Sequence, residues 1–162
     1  MEYITYRNVL LVMNLMKLLL SSTIASLILA TAATAGASWM TDIDSALAKA
    51  KKEKKNVLVE FTGSDWCPPC IMMDKKVFSK SEFTDTAKKD FILVKIDIPN
   101  KDKTLKKKNS KVMKKYSVRG VPTVLLFGDD GSEFTRFTAS RYPSVEQFLA
   151  HLKEALEKKD MD

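Results

Sequence analysis

The sequence of 162 residues has few of the residue types that bind metals or cross-link a fold, with two cysteines and one histidine. A structural zinc site needs four ligands, usually cysteine and histidine, so these residues supply too few. Covalent haem attachment needs a histidine directly after the second cysteine, whereas Ile71 follows Cys70. A disulfide across so short a loop would stabilise the fold little. These shortages argue against a zinc site, a c-type haem protein and a disulfide-stapled scaffold.

The sequence also has no internal repeat, low-complexity linker or nucleic-acid-binding motif. Its formal net charge of +7 could attract nucleic acid or an anionic membrane. Aromatic residues do not alternate with the basic ones in the lysine-rich stretch 101–115, as single-strand binding would favour. We therefore predict a solvated helix there, with Leu105, Val112 and Tyr116 on its inner face, and no nucleic-acid partner. A docking surface for an acidic partner is the alternative.

Residues 1–37 have the composition of a secretory signal peptide. Lys17 precedes a mainly apolar run, residues 18–30, and Ala35-Gly36-Ala37 fits a cleavage site with small residues. No cysteine follows the run, which argues against lipid attachment there. We therefore expect bacterial export to the periplasm or beyond the cell, and a mature domain over residues 38–162.

Two alternatives remain open at this end of the chain. Translation from Met13 or Met16 would leave a more regular signal peptide, because residues 9–12 are apolar too. An uncleaved segment would instead anchor the protein in a membrane, although the apolar run is short for a full span.

The two cysteines form the motif Cys67-Pro68-Pro69-Cys70, which follows the apolar run Val57–Phe61. A helix is predicted to begin within the motif, because proline is favoured in the first helical turn. A C-x-x-C pair between a strand and a helix is typical of a reversible redox centre. The pattern therefore favours thiol–disulfide chemistry.

The rest of the chain alternates between helical and extended patterns. We predict a first helix capped by Thr41, with Asp44 completing a capping box, and a last helix capped by Ser144. His151 falls off the apolar stripe of that last helix, so we expect it at the surface without a catalytic role. The remaining predicted elements, in chain order, are a strand over 56–62, helices over 68–78 and 81–89, a strand over 91–98, the helix near 101–115 and a hairpin over 124–138. This order predicts an α/β fold, with a central mixed sheet and helices on both faces.

Three segments carry a resemblance to the thioredoxin superfamily: Val57–Phe61, Trp66–Cys70 and Val118–Phe127. The resemblance extends over residues 39–158 and implies the thioredoxin fold. The approach Gly63–Cys67 is similar to that in the C-terminal domain of the periplasmic thiol:disulfide interchange protein and in small exported thioredoxin-like proteins. The chain departs from the superfamily pattern in having Glu60 where thioredoxins have a buried aspartate, and Pro-Pro between the cysteines.

The resemblance implies catalytic roles for three residues. Cys67 would be the nucleophile, since the positive end of a helix favours a thiolate, and Cys70 would resolve the mixed disulfide. Glu60 would exchange a proton with Cys70, with a pKa raised by burial. Lys95 matches a supporting lysine beside that acid.

Other residues would shape the substrate site. Pro122 matches the superfamily's cis proline, and Val121 would offer its backbone to an extended substrate. Trp66 would either contact the substrate or serve only in packing. Pro68 and Pro69 lack N–H groups, so we expect a Cys67 thiolate less stabilised than in a strong oxidant.

We therefore expect an exported thiol–disulfide oxidoreductase, a reductant that acts on protein thiols and disulfides. It would use no metal or organic cofactor and would have only its redox-active disulfide. A membrane thiol reductase is a candidate electron donor, and a monomer is the default state. The alternatives are a non-catalytic binding module or chaperone and a donor in cytochrome maturation.

Overall fold

A four-stranded mixed sheet lies at the centre of the protein in the computed structural model, which describes residues 39–161. The strands lie in the order β2-β1-β3-β4, with β1 parallel to β2 and antiparallel to β3, and β4 antiparallel to β3. Their bounds are β1 (Asn56–Thr62), β2 (Phe91–Asp97), β3 (Thr123–Phe127) and β4 (Glu133–Thr138). The predicted mixed α/β architecture is confirmed.

Helices pack on both faces of this sheet. They are α1 (Ile43–Glu53), α2 (Pro68–Met73), α3 (Ser81–Ala87), α4 (Lys103–Lys115) and α5 (Val145–Lys159). The helix α2 continues into a π-helical turn (Asp74–Phe78), and a 3₁₀ turn (Ala139–Arg141) follows β4. Each predicted helix is therefore present, with bounds that differ by up to two residues.

The central strand β1 is buried along almost its whole length and contributes to both hydrophobic cores. Because side chains alternate along a strand, Val57, Val59 and Phe61 pack in the core beneath α1 and α4. Leu58 packs in the opposite core with residues of α2 and α5. Glu60 lies on this second face, which carries the cysteine motif.

The helix starts confirm one predicted cap and correct another. The Ser144 hydroxyl accepts the Gln147 N–H at 3.2 Å, as predicted for α5. The prediction of Thr41 as the cap of α1 was wrong, because the Asp42 carboxylate accepts the Ser45 N–H at 2.8 Å. Threonine and aspartate both favour this position, so the sequence alone does not distinguish the two neighbours.

The expectation of a surface position for His151 was also wrong. Its ring stacks on Tyr142 with centroids 4.0 Å apart and meets the edge of Phe137 at 4.5 Å. The His151 side chain is 18% exposed, and burial lowers the pKa of its imidazole. Tyr142, which lies between β4 and α5, therefore covers His151 although His151 is outside the apolar stripe of α5.

The predicted signal peptide and the two candidate start residues fall outside residues 39–161. Within that described range, no helix is both long enough and apolar enough to cross a bilayer.

Candidate functional site

Cys67 and Cys70 form a disulfide at the start of α2. Cys67 is the N-cap residue, and its Sγ accepts the Cys70 N–H at 3.3 Å. Pro68 and Pro69 occupy the next positions, where the helix needs no backbone donor. Cys67 is 4% exposed and Cys70 is fully buried. An incoming sulfur therefore reaches Cys67 more easily than Cys70.

A loop with a cis peptide lies against the more exposed cysteine. The peptide bond between Val121 and Pro122 is cis, and the Val121 carbonyl oxygen is 3.8 Å from Cys67 Sγ. Within residues 39–161, neither the N–H nor the carbonyl of Val121 takes part in a backbone hydrogen bond. The loop can therefore offer both groups to an extended chain beside the disulfide.

Trp66 is held in place beside the disulfide although its side chain is 44% exposed. Its indole Nε1 donates to the Ile98 carbonyl at 2.6 Å. The ring also covers Gly63, where an added Cβ would lie 2.5 Å from Trp66 Cε2. The position of Trp66 is therefore fixed by packing, and one face of the ring remains open to solvent.

Two aspartates that sequence reasoning missed connect the loop before Cys67 with the end of β2. The Asp65 carboxylate accepts the N–H groups of Asn100 and Lys101, each at 2.8 Å. The Asp97 carboxylate accepts the Ser64 N–H at 2.9 Å and its hydroxyl at 2.6 Å. Aspartate in a loop is a weak signal for such contacts, because it favours many kinds of turn.

Glu60 is fully buried on the face of β1 that carries the cysteine motif. Neither of its carboxylate oxygens has a hydrogen-bond partner in the described part of the chain. Burial raises the pKa of Glu60 to about 7, although the nearby Lys95 charge opposes the increase. Near neutral pH the carboxyl can therefore accept or release a proton, which is the property that the predicted role requires.

Lys95 lies between Glu60 and a second carboxylate that the sequence analysis did not identify. Its Nζ is 3.7 Å from Glu60 Oε2 and 2.6 Å from Asp74 Oδ1. Asp74 begins the π-helical turn and also accepts the Ser79 hydroxyl at 2.7 Å. Burial opposes ionisation of Asp74, but the bonds from Lys95 and Ser79 outweigh it and lower its pKa. The spacing from Cys70, four residues along a helix, was the available signal, since such residues share a face.

A pocket of about 230 Å³ brings Cys70 and this ion pair together. Cys70, Asp74 and Lys95 all line it. This volume accommodates several water molecules. Water in this pocket can therefore carry a proton between Cys70 and the Asp74–Lys95 pair, and Lys95 in turn lies 3.7 Å from Glu60.

The structure thus brings the predicted residues into two adjoining groups. Cys67 lies with Trp66, Val121 and the buried Pro122 on one side of the disulfide. Cys70 and Glu60 are fully buried, and the partly buried Lys95 lies beside Glu60. Within residues 39–161, no three His, Cys, Asp or Glu side chains are grouped to hold a metal ion.

The known proteins that resemble this chain match the part of it that contains the candidate site. A family model described as thioredoxin-like matches residues 38–128. The "Disulfide bond reductase DsbH" of Chlamydia pneumoniae is 32% identical over 94 residues, which are 56% of this chain and 57% of that protein. The "Thiol:disulfide interchange protein DsbD" of Actinobacillus pleuropneumoniae serotype 5b (strain L20) is 30% identical over 95 residues, 56% of this chain. The match spans only 15% of that longer protein.

Solved structures show the same similarity in three dimensions. A structure titled "DsbH Oxidoreductase" superposes with a TM-score of 0.64 at 28% identity, and covers 74% of this chain and 84% of its own. A thioredoxin from Thermus thermophilus has a TM-score of 0.57 at 23% identity, over 73% of this chain and 85% of its own. At that identity the second likeness shows the fold alone.

Proposed function

Because the chain belongs to the thioredoxin-like family, we propose that it is a thiol–disulfide oxidoreductase that acts on protein disulfides. The observation that carries this proposal is the asymmetry of the Cys67–Cys70 disulfide. Cys67 keeps a small exposure of 4% beside Val121, whose backbone makes no backbone hydrogen bond within residues 39–161, whereas Cys70 is fully buried. This arrangement supports Cys67 as the nucleophile and Cys70 as the resolving cysteine.

The reaction is an exchange of sulfur–sulfur bonds. In the reduced protein, the Cys67 thiolate attacks one sulfur of the substrate disulfide, and the other substrate sulfur leaves as a thiolate. Cys70 then loses its proton and attacks Cys67 Sγ, which releases the second substrate thiol and forms the Cys67–Cys70 disulfide. The substrate gains two electrons, and the protein loses two. No metal or organic cofactor takes part in these steps.

Glu60 is the proposed acceptor of the Cys70 proton. Its pKa of about 7 allows it to take up a proton near neutral pH, which a carboxyl with an ordinary pKa does poorly. Lys95, held by Asp74, keeps a positive charge close to the carboxylate that forms when the proton is released. Trp66, Val121 and Pro122 form the proposed contact surface for substrate.

We assign the protein the direction of a reductant. Pro68 and Pro69 offer no N–H to the Cys67 sulfur, and within residues 39–161 the N–H that it accepts is that of Cys70. A less stabilised thiolate favours the oxidised form of the protein, and hence transfer of electrons to substrate. The name of the chlamydial relative, disulfide bond reductase, supports the same direction. A membrane thiol reductase would then supply the electrons.

The proposed place of action is outside the cytoplasm. The composition of residues 1–37 supports export, and an exported compartment permits disulfide chemistry. The protein would act as a monomer after cleavage before Ser38, or from a membrane if the segment remains uncleaved.

Trapping of a mixed disulfide tests the proposed activity. The Cys70→Ser variant lacks the resolving thiol, so it is expected to accumulate a covalent adduct with a disulfide-bonded protein such as insulin. The adduct appears on a non-reducing gel and disappears with dithiothreitol. The matched variant Cys67→Ser, which retains only the buried thiol, is expected to form little adduct.

Equal trapping by both variants would contradict the assignment of Cys67 as nucleophile. If neither variant forms an adduct and the wild-type protein does not reduce insulin, the enzyme proposal fails. A non-catalytic binding module or chaperone then becomes the better account.

A further inference from the structure

A groove of about 700 Å³ runs along the loop that carries the cis peptide. Residues 117–123 form one side of it, and residues 136–138 with Arg141 form the other. Val121 lies in the groove and also contacts Cys67 Sγ through its carbonyl oxygen. A substrate segment that continues from a disulfide bound at Cys67 can therefore enter this groove.

Among the described residues that line the groove, the charged ones are all arginines. Three arginines contribute to its lining, but one of them is already paired. Arg136 donates to the Glu133 carboxylate through Nε at 2.5 Å and Nη2 at 2.7 Å, and its Nη1 donates to the Tyr116 carbonyl. Arg119 and Arg141 are exposed, and neither has an acidic partner within residues 39–161. Two guanidinium groups therefore remain available to a ligand.

We infer that this groove binds an extended acidic segment of the protein substrate, next to its reactive disulfide, with carboxylates on Arg119 and Arg141. The inference rests on the proposed function and specifies its substrate class. The N–H and carbonyl of Val121, which make no backbone hydrogen bond within residues 39–161, provide the backbone contact for an extended segment, and such a contact is independent of the segment's sequence. The two arginines provide the selection, because a guanidinium binds a carboxylate through two parallel hydrogen bonds.

The many lysines outside the groove do not give the same preference for an acidic segment at this position. An exposed lysine attracts any anion, and salt screens that attraction. The arginines of the groove differ in position, since they line the same groove as Val121, whose carbonyl oxygen lies 3.8 Å from Cys67 Sγ. A general preference of this basic protein for acidic peptides would depend on its net charge, whereas a preference set by the groove depends on these two side chains.

A binding experiment with matched peptides tests the inference without redox chemistry. Two labelled octapeptides carry serine in place of the reactive cysteine, and one has two aspartates where the other has two asparagines. Fluorescence anisotropy with the oxidised full-length protein at low salt gives both affinities. The acidic peptide is expected to bind roughly three- to tenfold more tightly, as two exposed ion pairs would give.

Two double variants separate the groove from the net charge. Arg119→Gln with Arg141→Gln is expected to bring the affinity ratio of the two peptides close to one. Lys51→Gln with Lys107→Gln removes the same charge at exposed positions outside the groove and is expected to keep the wild-type ratio. Because the ratio is taken within one protein, a general loss of affinity does not change it.

The inference is overturned if the wild-type protein does not prefer the acidic peptide. It is also overturned if the arginine variant keeps the wild-type ratio, or if the lysine variant loses it equally. Disulfide exchange is measured separately with insulin. A protein that reduces insulin but ignores peptide charge refutes the groove assignment alone. A protein that binds the acidic peptide through the arginines but reduces no disulfide refutes the proposed function alone.

Discussion

At the scale of single residues, the carboxyl group of Glu60 differs from a surface acid in being buried and in having a raised pKa. Glu60 is fully buried and has no hydrogen bond within the described chain, and its lysine neighbour binds Asp74 more closely than it binds Glu60. The negative charge of ionised Glu60 is therefore only partly balanced by Lys95. We therefore expect Glu60 to make the stability of the protein depend on pH, and Asp74 to influence the pKa of Glu60. Two substitutions test these effects separately.

Glu60→Gln is expected to remove a pH dependence of stability. The pKa of Glu60 rises from 4.5 to about 7 on folding, so its contribution is complete below pH 4.5 and is lost as the pH rises through 7. The wild-type protein should therefore lose about 3 kcal/mol of unfolding free energy between roughly pH 4.5 and 8 that the variant keeps. Urea unfolding of both proteins at the two pH values measures this difference. Parallel pH profiles would contradict the assignment.

Asp74→Asn is expected to lower the pKa of Glu60 below 7. The substitution removes a negative charge that raises this pKa and frees Lys95 to interact with the buried carboxylate. Carbon-13 NMR of the glutamate carboxyl groups measures the titration directly. Asp85→Asn, which removes an exposed carboxylate paired with Lys88, is the matched control and should leave the titration unchanged. An unchanged Glu60 titration in Asp74→Asn would show that Asp74 does not tune the acid.

At the scale of elements, the site is assembled by loops that the sheet brings together. The loop before Cys67 is attached to the end of β2 through Asp65, Asp97 and the Trp66 indole. The loop before β3 carries Val121 and Pro122 to the disulfide. The position of Trp66 therefore depends on contacts between segments about thirty residues apart.

Gly63→Ala is expected to displace Trp66 and destabilise the protein. An added Cβ would lie 2.5 Å from the indole ring, and forcing a group into a packed site costs about 1–3 kcal/mol. Thermal unfolding and the fluorescence of the tryptophans measure the two effects. Gly120→Ala is the control, because a Cβ there meets nothing within 4 Å. Equal stability of the two variants would contradict the proposed packing constraint.

The helices and strands depend on a local sequence pattern and were predicted correctly from the sequence. Strand β1, the helix that begins at Pro68 and the Ser144 cap follow from apolar periodicity and from residues with known positional preferences. The Asp74–Lys95 pair, the Gly63–Trp66 contact and the enclosure of His151 depend on which segments meet in three dimensions. Asn109 is a further case, since it is buried on the lysine-rich helix and donates to the Asp97 carbonyl at 2.6 Å. Its spacing of four residues from Leu105 places it on the inner face of that helix, but the local pattern does not indicate which group it contacts.

At the scale of the whole molecule, the fold places the reactive disulfide where the parallel strand β1 ends and α2 begins. Ligands commonly bind at the carboxyl ends of strands in α/β sheets, and here two hydrophobic cores hold the sheet from both sides. Cys67 lies beside Val121 of the groove, and Cys70 lines the pocket that Asp74 and Lys95 also line. The same disulfide can therefore meet a substrate on one side and a proton acceptor on the other.

The equilibrium reduction potential of the Cys67–Cys70 pair tests the proposed reductant most directly. It is measured by equilibrating the purified protein with defined ratios of reduced and oxidised dithiothreitol or glutathione. The account predicts a value close to that of thioredoxin, roughly −270 mV, because the two prolines leave the Cys67 thiolate weakly stabilised. A value near that of a strong oxidant, roughly −120 mV, would contradict the reductant assignment. Failure to form a reversible disulfide at all would contradict the proposed activity.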